Sequence, residues 1–257
     1  MPRGKKIDNQ NGILLMDKSK MFKFTIPQAM MTVGQLFIIP SIWFIFTADH
    51  TAVGVLLSII ACYLFSGVGV TIAAHRYFTH RSFKLSENKE RVLSLFAVLS
   101  TWISPVEWTT SHWHHHKHSD TELDTHSPKH LGWKNWFFIF HRSYASKPSL
   151  VSVRMLKKKW HLFLFNYKYG IVFSYALIVY GLGGIDYLFY LWIIPTAHGF
   201  LSQLITVNNH VDGEPRDSMW QNLITIGDGH HKHHHDYPNK YDRGFFIKPI
   251  VDIIKDD

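Results

Sequence analysis

Residues 52–80 read AVGVLLSIIACYLFSGVGVTIAAHRYFTH, an uncharged apolar run over 52–74 followed at once by two histidines five positions apart, His75 and His80. The run at 52–74 is long enough to cross the hydrocarbon of a bilayer, for which about 20 residues suffice. Three further apolar runs lie near 30–46, 169–183 and 187–207. A fifth, 91–106, begins at Arg91, contains Ser, Thr and Pro105, and is short. With 46% apolar, 15% aromatic and only 18% charged residues, the composition leans towards a membrane protein. Mean hydropathy is nevertheless −0.04, so what lies outside the apolar runs must be strongly polar.

The basic residues decide how many runs span. If 91–106 does not cross, the short links 47–51 and 184–186 share one side of the membrane and contain no Lys or Arg. All 27 basic residues then fall in 1–29, 75–168 and 208–257, on the other side. Cytoplasmic loops collect Lys and Arg, which places those segments and both termini in the cytosol. The expected fold is an all-α integral membrane protein with four transmembrane helices in two hairpins. A helical cytosolic cap completes a single domain over 1–257. The net charge of +8 then follows from topology, and nucleic acid is not an expected partner. Cys62 is the only cysteine, so no intramolecular disulfide is possible, and residues 1–29 show no signal peptide.

Histidine is the anomaly. Most of the 19 crowd into three windows: His75 to His80, His112-Trp-His-His115-His116, and His231-Lys-His-His234-His235. His210 stands alone past the last apolar run. On a helix, positions i, i+3 and i+4 share a face, so each triplet can aim its imidazoles at one place. The i, i+5 spacing of His75 and His80 turns through about 140° on an α-helix, so those two can serve different ions. Nine imidazoles are too many for one metal ion and suit two. Imidazole suits Fe, Zn, Cu and Ni alike, so the ligands alone do not name the metal. The intervening His114, His118, His230 and His233 are expected to be ordinary surface residues. His198, inside the fourth run, is expected to bond another helix.

The order H-x4-H, H-x2-H-H, H-x2-H-H resembles the membrane fatty acid desaturases, most closely the stearoyl-CoA (delta-9) and bacterial acyl-CoA branch. The context agrees: His75-Arg76 through His80-Arg81-Ser82-Phe83, then Trp108 with Asp120, Asp124 and His126-Ser127, then Gly227-Asp228-Gly229 and Tyr237-Pro238. The resemblance implies that His75, His80, His112, His115, His116, His210, His231, His234 and His235 bind two ferrous ions. It implies an oxidoreductase of lipid metabolism that uses O2 and two electrons to place a cis double bond in an acyl chain held in a narrow tunnel. The substrate is then a fatty acyl group on CoA, acyl carrier protein or a lipid, with CoA and a delta-9 outcome expected. Electrons would come from a separate b-type cytochrome or ferredoxin. The size suggests a bacterial inner membrane. Arg76, Arg81 and Lys157 to Lys159 could meet an anionic headgroup, or be ordinary positive-inside charge. Trp102, Trp108 and Trp220 could line the tunnel.

Three departures from the family pattern bear on the surroundings of the metals. Asp124-Thr125-His126 replaces Asp-Pro-His, Asp228 replaces Glu, and Thr206 stands where a relative has Asn, with Asn208 and Asn209 nearby. The rival readings are an acyl-lipid hydroxylase or acetylenase on the same scaffold and, from another class, a histidine-rich membrane metal transporter. A transporter should carry polar ligands between its spans near the bilayer midplane, where this chain has little besides His198.

Overall fold

The computed structural model describes residues 25–141, 149–241 and 246–256, so most of the segment searched for a signal peptide, 1–29, lies outside the described residues. The first apolar unit is α1 (Ile26–Leu36) followed at once by α2 (Ile38–Thr47). It begins four residues before the expected 30. Thr25 and Gln28 form a reciprocal capping box and Pro27 occupies the first turn, where its missing N–H costs nothing. After the link at 48–51, α3 (Ala52–Cys62) runs without a break into a more widely wound stretch, Tyr63–Thr79. Then come α4 (Glu87–Thr101) and α5 (Pro105–His118), bent 71° from one another.

Beyond these lie α6 (Pro128–Leu131), tight 3-10 turns at Gly132–Trp136 and Phe138–Phe140, and α7 (Leu150–Leu156). The helix α8 (Lys159–Leu188) passes through a wide turn, Phe189–Ile193, into α9 (Ile194–Val207). The small helices α10 (Met219–Ile224), α11 (His231–Asp236) and α12 (Lys248–Ile254) finish the described chain. One element departs from an all-α expectation: β1 (His210–Val211) pairs antiparallel with β2 (Glu214–Pro215). The turn between them carries Gly213 at φ +81°, and the ribbon fixes the backbone at His210.

Among the described residues, three helical units are long and apolar enough to cross a membrane: Ile26–Thr47, Ala52–Thr79 and Lys159–Val207. The bent pair α4–α5 makes a fourth only if counted as one broken span. The 49-residue unit reverses at Gly183–Gly184, where Gly184 takes φ +65°, a conformation that favours glycine. Past that point Tyr175 Oη donates to the Leu191 carbonyl at 3.1 Å, so the chain runs back along α8. Its first ten residues, 159–168, are helical although they are polar enough to be missed as part of an apolar run. Outward faces are apolar, with Phe46 83% and Leu177 72% exposed, which suits lipid rather than water.

Two apolar cores hold the bundle. One gathers Phe44, Trp102, Trp192 and Phe200, with the indoles of Trp102 and Trp192 stacked at 5.8 Å. The other surrounds Ile72, Phe78, Ala97 and Ile247. Two elements approach closely at Gly69, where a Cβ would stand 1.9 Å from Ser100 Oγ and 2.7 Å from the Phe96 carbonyl of α4. Gly69→Ala is therefore expected to lower the apparent Tm in detergent, at a cost of about 1–3 kcal/mol for overpacking. Gly170→Ala, with open space around its Cβ, should leave Tm unchanged or raise it slightly. Equal melting of the two variants would contradict this helix contact.

Candidate metal centre

The wide winding of Tyr63–Thr79 sets the first two histidines. Its backbone bonds run i→i+5, as where His80 N–H donates to the His75 carbonyl at 3.3 Å. Hydroxyls support it at the same interval: Thr71 Oγ1 donates to Ser66 O at 3.1 Å, and Thr79 Oγ1 to Ala74 O at 2.8 Å. Residues five apart therefore face the same way. His75 and His80 join one group, which corrects the expectation from α-helical geometry that they serve different ions.

That group is His75, His80, His112, His116 and His234, with one ring nitrogen from each lying within 4.8 Å of all the others. A second group of the same tightness holds His115, His210, His231 and His235. The structure thus brings all nine candidate residues together, as five and four. It also corrects the idea that each triplet serves one place. His112 and His116 stand one turn apart on α5 and share a group, while His115, about 100° round the helix, reaches the other. On α11 the division is mirrored: His231 and His235 pair, and His234 crosses to the first group.

Carboxylates fix the outer nitrogens. His75 Nδ1 lies 2.9 Å from Asp228 Oδ1, His115 Nδ1 2.9 Å from Asp124 Oδ1, and His210 Nδ1 2.6 Å from Asp120 Oδ2. Each Nδ1–H donates to its carboxylate, so each Nε2 presents a lone pair inward. There the nitrogens crowd: His75 Nε2 is 2.8 Å from His234 Nε2, and His210 Nε2 is 2.9 Å from His231 Nε2. Both ring nitrogens of buried His80 have no hydrogen-bond partner. Converging lone pairs repel one another unless a cation sits among them, so the donor set fits two metal ions. His234 is held differently, with Arg76 Nη1 2.8 Å from its Nδ1. A metal at His234 Nε2 requires Nδ1 to carry the proton and the guanidinium to turn towards Asp228, 3.8 Å away.

Burial holds His231 and His234 well below the ordinary imidazole range and lowers His235 as well, with neighbouring imidazoles adding to the effect. They are neutral at pH 7 and available as ligands. For Asp124, burial pushes the carboxyl up, but the bond from His115 and its charge outweigh that and hold it low.

Other expectations resolve residue by residue. His198 Nδ1 meets Ser66 Oγ at 2.6 Å, a link between helices. Arg76 is buried and engages His234 and the Lys240 carbonyl, so it is not a surface contact for a headgroup. Trp108 lines the cavity described below, whereas Trp102 is sealed in a core and Trp220 is 77% exposed. Thr206 also lines the cavity, while Asn208 and Asn209 spend their side-chain amides on Leu204 and Arg216 carbonyls. His126, read in the sequence only as part of the surroundings of the second histidine window, is not among the nine candidate ligands. Its buried ring stacks on His115 at 4.3 Å and forms a third, smaller cluster with His115 and Asp124. The Asp-x-His spacing at 124–126 was the available signal.

A cavity of about 550 Å³ reaches this centre, with His75, His112, His115 and His231 on its wall. Val70, Ile103, Val106, Leu156 and Phe165 make the rest of that wall largely apolar. The arrangement can place an apolar chain against two imidazole-ringed metal sites.

With this geometry in hand, comparison with known proteins is informative. The sequence model of the fatty acid desaturase family matches residues 49–241. The chain is 27% identical over 203 residues to an sn-2 palmitoyl-lipid 9-desaturase of Nostoc sp. (strain 36), covering 72% of this chain and 70% of that protein. It is 27% identical over 195 residues to Delta-9 acyl-lipid desaturase 2 of Arabidopsis thaliana, covering 71% and 64%. It is 30% identical over 189 residues to an acyl-CoA C20 Delta5-desaturase of Anemone leveillei, covering 68% and 61%. The chain thus spans roughly two thirds of the length of these relatives.

Two outcomes follow from the geometry. Asp228→Ala frees the His75 ring and should weaken metal retention about 10–100-fold in a chelator competition; unchanged retention would contradict the orienting role. The depressed histidines bind fewer protons in the folded than in the unfolded chain once pH falls below about 6.5. Their stability contribution is present above that pH and is lost as pH falls towards the folded values. The metal-free protein should therefore melt at a lower temperature at about pH 5 than at about pH 8, and a flat profile would count against buried neutral rings.

Proposed function

The chain belongs to the fatty acid desaturase family, an oxidoreductase family, and on that premise we propose that it uses O2 to insert a cis double bond into a fatty acyl chain at two histidine-held iron ions. The observation that carries this reading is the convergence of nine imidazoles, five and four, beside a largely apolar cavity whose wall includes His75, His112, His115 and His231. The ligands proposed are His75, His80, His112, His116 and His234 for one ion, and His115, His210, His231 and His235 for the other.

Bound iron supplies the reduction of O2 and the oxidation of an unactivated C–H bond. The protein's own part is position and dryness. Asp228, Asp124 and Asp120 hold three rings in the tautomer that points Nε2 inward. Burial keeps His231 and His234 neutral, and the walls from Val70, Ile103 and Val106 keep water from the acyl carbons. Electrons come from a separate protein, a b-type cytochrome or a ferredoxin.

The topology belongs to the same proposal: four spans in two hairpins, α4–α5 not crossing, and one unit over 1–257. At about 1.5 Å per residue, Lys159–Val207 extends more than twice the roughly 30 Å hydrocarbon core, and its reversal at Gly184 supports two crossings. The basic residues set the metal face towards the cytosol, in a bacterial inner membrane.

The test is a fatty acid profile by gas chromatography–mass spectrometry from a desaturase-deficient host, beside a His115→Ala, His234→Ala control. A new monounsaturated acid absent from the control is expected, and its bond position reports regiochemistry. A hydroxylated acid would instead favour the hydroxylase reading. No oxidised acid and no bound iron would sink both. Feeding acyl-CoA or lipid-linked acyl groups to purified protein separates the carriers: CoA, as the sequence suggests, or the acyl-lipid carriers named for two relatives above.

A further inference from the structure

The segment Gly132–Phe140, GWKNWFFIF, lies outside the metal centre and has a character of its own. Asn135 and Phe138 are buried, and Phe138 packs on Phe200 at 5.4 Å. Its other large side chains point out: Trp133 is 68% exposed, and Trp136, Phe137 and Ile139 are each a little over 40%. The rings of Trp133, Phe137 and Phe140 sit within 6.3 Å of one another, and Lys134 Nζ lies over Phe140. An outward aromatic cluster of this kind is disfavoured against water and is typical of the membrane interface.

The backbone of this segment is not α-helical, and α1 satisfies it. Gln35 Nε2 donates to the Trp136 carbonyl at 2.8 Å, and Gln35 Oε1 accepts from Phe138 N–H at 3.4 Å. Gln28 Nε2 donates to the His141 carbonyl. Gln28 and Gln35 stand two turns apart on one face of an otherwise apolar helical unit, whose Ile26, Leu36 and Ile39 are exposed. Irregular backbone is tolerated at membrane depth only where protein satisfies its polar groups, and these two amides do that. The seam so formed is continuous with the cavity, because Gln28, Met31, Phe138 and His141 are also part of its lining.

We propose that Gly132–Phe140 is an aromatic wedge seated in the headgroup–acyl boundary of the bilayer, and that the seam between it and α1 admits an acyl chain sideways from the membrane into the cavity. The seam half of this inference rests on the acyl-oxidising reading, and the wedge half does not. The occupant of the wedge's outer face is phospholipid, with its acyl chains against the aromatic rings and its phosphates within reach of Lys129 and Lys134.

The experiment uses the full chain in phosphatidylcholine nanodiscs. Cys62→Ser removes the only cysteine, and Trp133→Cys then carries an environment-sensitive nitrobenzoxadiazole label. Blue-shifted emission, quenched severalfold more by lipid spin-labelled near the top of its acyl chains than by aqueous iodide, is expected. Quenching by iodide and not by lipid would overturn the wedge. In the same nanodiscs, phosphatidylcholine bearing a mid-chain diazirine should label peptides containing Met31 and Phe138 on irradiation, and Met31→Trp should reduce labelling at Ile103, deeper in the cavity. Labelling confined to exposed rings in the unaltered chain would overturn the seam. Cavity labelling by a protein that yields no oxidised acid would keep the seam and reject the desaturase reading.

Discussion

Nine imidazole lone pairs directed into two small volumes are the constraint on which the rest of this structure depends. The Nε2 atoms of His75 and His234 approach to 2.8 Å and those of His210 and His231 to 2.9 Å, while the outer nitrogens of His75 and His210 donate to carboxylates. Acceptor lone pairs therefore crowd inward beyond what hydrogen bonds among the rings can satisfy. A pair of cations resolves the conflict, and the protein is arranged to keep the rings available for it. Asp228, Asp124 and Asp120 hold the protons on the outer side, and burial disfavours protonation of the inner side. The cost of gathering so many polar groups is met by a scaffold whose helices pack closely elsewhere, as at Gly69 against α4.

The scaffold explains how distant segments meet. The helix Ala52–Thr79 delivers His75 and, at its cap, His80, α5 contributes three rings, and the ribbon after α9 and the short α11 contribute four more. The wide winding of Tyr63–Thr79 is what lets His75 and His80 face one group, and Thr71 and Thr79 stabilise it through bonds to carbonyls five residues back. The same helix end is tied to the third histidine window by Asp228, which accepts from His75 and lies 3.1 Å from the Thr71 hydroxyl, whose one proton is shared with the Ser66 carbonyl. Winding, carboxylate and the placing of the histidines are therefore parts of one arrangement.

Much of this was legible in the sequence, and the exceptions have physical causes. The nine histidines stand out because their spacing on short segments is chemically meaningful, and the apolar runs stand out by length. Their allocation was not legible. It depends on a winding that α-helical geometry does not anticipate, and on adjacent rings on α5 and α11 pointing about 100° apart. His126 was legible only as part of the surroundings of the second window, because its stacking on His115 is a contact made only in three dimensions. Helix starts at Ile26 and Lys159 were misplaced because a capping box and a polar first stretch carry little hydropathy. The part played by Gln28 and Gln35 was not legible, because their partners lie far along the chain in the aromatic segment.

The most direct test of the two-ion account is an anomalous difference map from crystals of the iron-loaded protein, collected on either side of the iron absorption edge. Two peaks are predicted, one ringed by His75, His80, His112, His116 and His234, the other by His115, His210, His231 and His235. A single peak, or iron held instead between His115, Asp124 and His126, would contradict it.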